Sequence, residues 1–311
     1  MADETKRRCK AGAPFHRRKR SHLWIREPRS AQHSVQIALK RIASVTMIPR
    51  NHTGKTSKRS SPVMNTREDF RPKAHTPPSS FFTSIRYNIR LIIDLQVVSV
   101  YRHVKPFLQN VNGNLLDLGC GESPYRFLVN EKCAKYFGVD IIDADKFDYQ
   151  KSDVAHLDGK RIPFDDGYFD YVICTEVLEH VEDYQTLVDE VYRVLKPNGE
   201  GLFTIPWSAR YHYIPYDYFR FTPSLLQKTF SNYKEVEIIA RGTDVTAISS
   251  KLIVLFFRNL FPNKMWRYIL SPLWLLFTPL IILALLFGHI SLLTKFGSDL
   301  DPLGYTILSK K

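Results

Sequence analysis

The sequence predicts an α/β fold in which a parallel sheet binds its ligand at the carboxyl ends of its strands. Three observations point there. Short apolar runs of strand character alternate with segments of helical period between residues 84 and 240, one strand runs straight into a Gly-x-Gly turn, and the last residues again read as a strand.

Composition sets the bounds first. A chain of 311 residues allows one large or two ordinary domains, and 44% apolar with 13% aromatic residues suffices to bury a core, which excludes wholesale disorder. Cys9, Cys120, Cys133 and Cys174 show no close paired spacing, so neither a disulfide framework nor a four-cysteine zinc site is suggested. The net charge of +13 invites a nucleic-acid reading, but residues 1–80 hold 19 Lys+Arg against 5 Asp+Glu, and residues 81–311 hold 25 against 26. The body is therefore near neutrality. Residues 1–80, with KRRCK, HRRKR, seven prolines and little apolar periodicity, read as a basic, disordered extension. A lipid- or nucleic-acid-touching arm, a targeting leader and an upstream extension preceding a start at Met47 or Met64 all remain open for it.

From Ser84 to Asn110, apolar residues including Ile85, Ile89, Ile92, Val97 and Tyr101 recur near helical spacing between Arg86, Arg90 and Arg102, which predicts an amphipathic helix. Strands follow at Leu115–Leu118, Tyr136–Ile142, Tyr171–Cys174, Gly201–Ile205 and Val236–Ala240. A helix is expected over Asp183–Leu195, stopped at Lys196-Pro197-Asn198-Gly199. An uncharged run of 27 residues, Tyr268 to Thr294, would be about 40 Å long as one helix, more than the roughly 30 Å of bilayer hydrocarbon.

The chemistry-bearing motif is Leu115-Leu116-Asp117-Leu118-Gly119-Cys120-Gly121-Glu122. Glycines there admit positive φ and a close backbone approach. The second strand ends in Gly138-Val139-Asp140, placing a carboxylate 21 residues after Gly119, the distance at which a βαβ unit presents an acid to ribose hydroxyls. A dehydrogenase fingerprint would need a third glycine where Pro124 stands.

With these motifs in order, residues 115–205 resemble the class I S-adenosylmethionine-dependent methyltransferases. Ile162-Pro163-Phe164-Asp165-Asp166-Gly167-Tyr168-Phe169-Asp170 is similar to the family's segment before its fourth strand, Glu176-Val177-Leu178-Glu179-His180-Val181 to its VLEHV helix start, and Arg193-Val194-Leu195-Lys196-Pro197-Asn198-Gly199 to its following turn, with Asn198 and Glu200 as small departures. The resemblance implies a Rossmann-like, doubly wound, mostly parallel seven-stranded sheet with an antiparallel last strand at Gly304–Lys311. It implies S-adenosyl-L-methionine as cofactor, held by Asp117, Gly119, Gly121, Asp140, Ile141, Asp153 and Val154. Asp117 reads equally as a structural acid bracing the turn.

Methyl transfer needs a base only when the acceptor must lose a proton, and His180, with an ordinary pKa of about 6.5, is the candidate catalytic residue; a structural or substrate-shaping role stands beside it. Glu176, Glu179 and His180 would share one helix face and could bind a divalent ion, but acids in a first helical turn are stabilised by the dipole alone, so no metal is expected. Of the sixteen residues from Pro206 to Phe221, eight are aromatic when His212 is counted, the composition of a cover over an acceptor pocket or of a plug at the sheet's end. Tyr211, His212, Tyr213 and Asp217 are the substrate-contact candidates. The absence of an Asn/Asp-Pro-Pro-aromatic segment or a Pro-Cys nucleophile makes nucleic acid an unlikely partner.

The expected organisation is thus 1–80 extension, 81–247 methyltransferase domain, 248–299 apolar membrane-associated insertion and 300–311 closing strand. Since the strands on either side of the insertion would share one sheet, a single crossing is ruled out, and Pro272 and Pro279 would bend the run. A monotopic or hairpin anchor at the cytoplasmic face of a membrane follows, with a small or lipid-linked acceptor methylated most plausibly at oxygen. A non-catalytic cofactor-binding membrane scaffold and a nucleic-acid methyltransferase are the alternatives. The sequence names neither the acceptor nor the oligomeric state.

Overall fold

A computed structural model describes residues 78–141, 154–157, 161–212 and 216–311. The basic extension, Asp153 and Tyr213 lie outside the described residues, as does the side chain of Ile141. The strands are β1 (Gly113–Leu118), β2 (Ala134–Ile141), β3 (Val154–Leu157), β4 (Phe169–Thr175), β5 (Leu195–Pro206), β6 (Glu235–Arg241) and β7 (Gly304–Lys310). They form one sheet in the order β3-β2-β1-β4-β5-β7-β6, parallel except for β7, which runs antiparallel to both β5 and β6. This is the seven-stranded sheet the resemblance implied. β3 is a strand where the residue pattern alone gave only a contact segment; four residues are too few to display a period.

Alternation along the strands divides the core. Leu116, Leu118, Val172, Phe203 and Ile205 face the helix α3 (Tyr184–Val194), which buries Leu187, Val188, Val191 and Val194 against them. Each of these four side chains contributes about 1.5–3 kcal/mol of apolar burial. Leu115, Ile173 and Leu202 point the other way, onto Val100, Val104 and Leu108 of α2 (Leu95–Gln109). The single amphipathic helix expected over Ser84–Asn110 is two, α1 (Phe81–Ile93) and α2. Asp94 ends the first in an extended conformation and caps the second by accepting from the N–H groups of Gln96 and Val97.

The Arg193 side chain joins two of the sequence motifs. Its guanidinium donates to the carbonyls of Ile162 and Phe164 and pairs with Glu190 and Asp166, so the end of α3 clamps the segment leading into β4.

After the short helix α4 (Pro223–Thr229) and β6, the expected insertion begins slightly early. Its first helix, α5 (Asp244–Leu260), crosses the boundary placed at residue 247; a 3-10 turn (Met265–Leu270), α6 (Ser271–Leu275) and α7 (Thr278–Thr294) follow. Pro272 and Pro279 open α6 and α7, where a missing N–H costs nothing, so the prolines divide the apolar run as expected. No single helix among the described residues is long and apolar enough to cross a membrane; α5 and the Met265–Leu275 segment meet at a bend of 112°. α7 packs on α2 and α5 at Gly288, where an added Cβ would stand 2.4 Å from a Leu95 methyl. Ser291 shares hydroxyl contacts with Thr243 and Thr246 at 2.6 and 2.7 Å, and the His289 ring bonds the carbonyl of Ile92 at 2.8 Å. Leu95, Ile253, Phe256 and Ile281 make a separate small core there.

Candidate active site

The ligand candidates among the described residues gather at the carboxyl edge of the parallel strands. The turn after β1 takes left-handed backbone at Gly119 (φ +68°) and Gly121 (φ +47°). At Gly119 the glycine has a second cause: a Cβ would lie 2.4 Å from a methyl of Val177, so the connector after β4 packs directly on the turn. Asp140, at the end of β2, accepts a 2.6 Å hydrogen bond from the Gly121 N–H, which ties the turn to the second strand. Val154 opens β3 opposite Gly138, and Ile141 pairs with Leu157.

Asp117 is 1% exposed, and its carboxylate accepts from the Tyr136 phenol at 2.5 Å. Burial, then the Asp117 charge, raises the Tyr136 pKa, keeping the phenol a donor. Of the two sequence readings for Asp117, this geometry displays bracing of the strand that carries the turn.

The connector after β4 departs from the expected helix start. Glu176 has a left-handed backbone (φ +54°), Leu178–His180 is a single 3-10 turn, and α3 begins only after the Asp183 cap. Glu176, Glu179 and His180 therefore do not share a helix face. Glu176 instead meets the Arg241 guanidinium at 2.6 Å, with Gln96 donating to its other oxygen at 3.3 Å. Arg241, 1% exposed, also donates to Ser99 and to the Ile205 carbonyl, so it joins α2, β4, β5 and β6 beneath the site.

His180 is brought beside the aromatic segment after β5. Its Nδ1 stands 2.7 Å from the carbonyl oxygen of Tyr216; a carbonyl only accepts, so Nδ1 carries the hydrogen and Nε2 is the acceptor nitrogen of the neutral ring. Burial lowers the His180 pKa despite the opposing Tyr216 bond, which favours that neutral form. His212 packs edge-on at 4.9 Å between ring centroids, with its own Nδ1 2.9 Å from the Arg210 carbonyl and 3.1 Å from Asp217. Asp217 lies under the segment, 1% exposed, gripped by Arg220 through both oxygens. Burial would raise its pKa, but the Arg220 guanidinium and the His212 N–H outweigh it and hold the carboxylate below its usual range. The structure thus places Asp217 as the support of His212. Tyr211 is exposed at the surface.

Glu179 is the residue that sequence spacing undervalued. Its carbonyl accepts from the Tyr218 and Phe219 N–H groups, anchoring the aromatic segment, while its side chain is fully buried with neither carboxylate oxygen hydrogen-bonded. Burial pushes its carboxyl well above the usual range. Cys174 is a buried thiol within β4, as the sequence suggested.

The residues present fit an adenosine-type ligand. A turn with glycine at 119 and 121 lies beside a partly exposed carboxylate, at the edge where open α/β sheets bind, and a carboxylate can accept from ribose hydroxyls while keeping the Gly121 bond.

The same stretch of chain is similar to known proteins. Residues 116–203 match the family model described as a methyltransferase domain. The demethylmenaquinone methyltransferase of Oceanobacillus iheyensis is 30% identical over 136 residues, which cover 39% of this chain and 57% of that protein. That of Listeria welshimeri is 28% identical over 163 residues, covering 46% of this chain and 67% of that protein. Among solved structures, an S-adenosylmethionine-dependent methyltransferase from Archaeoglobus fulgidus aligns at 20% identity and a TM-score of 0.43, covering 75% of this chain and all of that one. The chain spans little more than half the length of the Oceanobacillus relative.

Proposed function

Because the chain is a class I S-adenosylmethionine-dependent methyltransferase across residues 116–203, we propose that it transfers a methyl group to an oxygen of a small or lipid-linked acceptor at a membrane surface. The cofactor supplies a methyl group activated on a cationic sulfur. Asp140 would accept from ribose hydroxyls, the Gly119–Gly121 turn would bring backbone to the cofactor's amino-acid end, and the resemblance assigns Asp153 and Val154 to the adenine. The buried Asp117 charge favours a cation nearby. On the acceptor side, His180 Nε2 is the nitrogen that would take the acceptor proton, His212 packs beside that ring, and Tyr211 and Tyr213 stay the acceptor contacts that the sequence suggests. The transfer is an in-line displacement, so positioning is the larger part of the catalysis.

One observation carries the membrane reading. β6 runs parallel to β5, so the insertion leaves and returns at the same sheet edge as the cofactor turn, and the link from it to β7 touches the acceptor cover: the N–H groups of Trp207 and Ser208 donate to the Leu303 carbonyl, and the Trp207 indole donates to Asp301 at 2.9 Å. The same insertion exposes Met265 (83%), Trp266 (68%), Ile269 (80%) and Leu276 (75%), and α1, bonded to α7 through His289, exposes Phe81 (74%) and Phe82 (77%). Apolar area of this kind marks an interaction surface, and indole anchors suit the lipid interface. Residues 244–270 carry four Lys or Arg against one Asp, the charge that anionic lipid attracts. An acceptor dissolved in the bilayer would reach the site without crossing water.

Flotation of the full chain with vesicles containing anionic lipid tests the surface. The parent should float, less so in high salt, and a triple M265E/W266E/I269E variant should stay in the soluble fraction. Labelled methyl groups should pass from the cofactor to a molecule extracted with the vesicle lipids. Flotation equal in parent and variant would remove the membrane reading; label recovered only in water-soluble products would remove the lipid-linked acceptor.

A further inference from the structure

The connector after β4 and the segment after β5 place Glu179, His180 and His212 so that each offers one ligand atom, all within 4.8 Å of one another. They come from two separate parts of the chain, held together by the bonds from Tyr218 and Phe219 to the Glu179 carbonyl and from His180 to Tyr216.

The Glu179 side chain has no exposed surface and no hydrogen-bond partner at either oxygen, and the His180 Nε2 beside it stands 3.6 Å from Oε1, beyond hydrogen-bond reach. A carboxyl buried without a partner is costly in either protonation state, so native chains seldom keep one without use for it. Both imidazoles are fixed in the tautomer that presents Nε2 as a lone pair, since each Nδ1 faces oxygen acceptors: the Tyr216 carbonyl for His180, and the Arg210 carbonyl and Asp217 for His212. Metal-ligating histidines are oriented by this kind of support, an acceptor on the far nitrogen. Asp217 is itself locked by Arg220.

We propose that Glu179, His180 and His212 bind a divalent transition-metal ion at the acceptor end of the site. Two imidazole nitrogens and one carboxylate oxygen favour ions such as zinc, cobalt or manganese over magnesium and calcium, which prefer oxygen donors. Bonds of about 2.1 Å in a tetrahedral site hold ligand atoms about 3.4 Å apart. The Glu179–His180 spacing is already near that value. His212, whose side chain is 30% exposed, closes the set by moving inward by no more than about 1.5 Å, the excess of the 4.8 Å limit over that spacing. Glu176 takes no part, being held by Arg241 and Gln96.

Three protein ligands leave a position open for an acceptor oxygen, whose proton the ion would make more acidic. In that state His180 is a ligand, and the ion takes over the work of lowering the acceptor's proton affinity. This consequence rests on the proposed methyl transfer; the binding itself does not.

The test uses full-length protein freed of metal by a chelator and titrated with Co²⁺, Zn²⁺ and Mg²⁺. Co²⁺ should bind at one equivalent with visible d–d absorption, Zn²⁺ should displace it and raise the melting temperature, and Mg²⁺ should do neither. His212→Ala should weaken Co²⁺ binding at least about tenfold, and Glu179→Gln should do the same. Should Glu179→Gln fail to fold, His212→Ala, at a partly exposed position, still decides. No stoichiometric Co²⁺ signal, or parent-like affinity in His212→Ala, would overturn the site, and equal binding of Mg²⁺ would overturn the transition-metal assignment. S-adenosylhomocysteine binding to the metal-free protein is read in parallel. Its retention alongside absent metal binding removes only the metal site, whereas its own loss removes the methyltransferase reading.

Discussion

Gly119 and Asp140 carry the clearest single-residue consequences. A side chain at Gly119 meets Val177 at 2.4 Å on a backbone with φ of +68°, so the turn would have to shift away from the connector. Strain of this kind costs about 1–3 kcal/mol, or roughly 5- to 150-fold in affinity if the cofactor site bears it all. Gly119→Ala should therefore weaken S-adenosylhomocysteine binding by that order in equilibrium titration while leaving the far-UV circular dichroism of the sheet intact; unchanged affinity would show that the cofactor does not approach this turn. Much at this scale was legible in sequence, because glycines and an acid at fixed spacing report backbone requirements directly. What spacing did not show was partnership. Asp217, a substrate-contact candidate by sequence, also holds His212, and the Glu176, Glu179 and His180 helix face is not formed because the left-handed Glu176 turns its side chain toward Arg241.

Among the elements, four are joined through one side chain. Arg241 at the end of β6 reaches Ser99 on α2, Glu176 after β4 and the Ile205 carbonyl of β5, with no exposed surface of its own. Removing one member of a buried pair leaves the other uncompensated, typically at about 3–5 kcal/mol. Arg241→Ala should lower the urea midpoint accordingly, with less effect when Glu176→Gln is already present; additive effects would mean that the two side chains do not act as a pair. No sequence pattern announced this link, since its members are 65 and 142 residues apart. Strong local signals did succeed: α3 begins at its Asp183 cap, and the prolines divide the apolar run. Boundaries failed where a single residue decided them, as at Asp94, whose cap splits one amphipathic pattern into two helices.

For the molecule as a whole, the +13 charge is carried by the first 80 residues, and the folded body answers to pH through buried groups. The pKa of His103 on α2 is lowered to about 4, by burial first and then by the Arg241, Arg102 and Lys295 charges. Between its unfolded value of about 6.5 and about 4 the unfolded chain binds a proton that the folded one refuses. Its contribution to stability is complete above the unfolded value and is lost as pH falls through that window. His103→Gln should flatten the dependence of the urea midpoint on pH there; identical slopes in parent and variant would exclude His103 as a source. The position of β7 has a consequence for synthesis. Among the described residues the sheet neighbour of β6 is β7, which is made only after the whole apolar insertion. During synthesis the sheet therefore keeps an open edge at β5 until the apolar helices α5 to α7 have been made, so the surface proposed to meet lipid exists in the chain before the strand that closes the sheet.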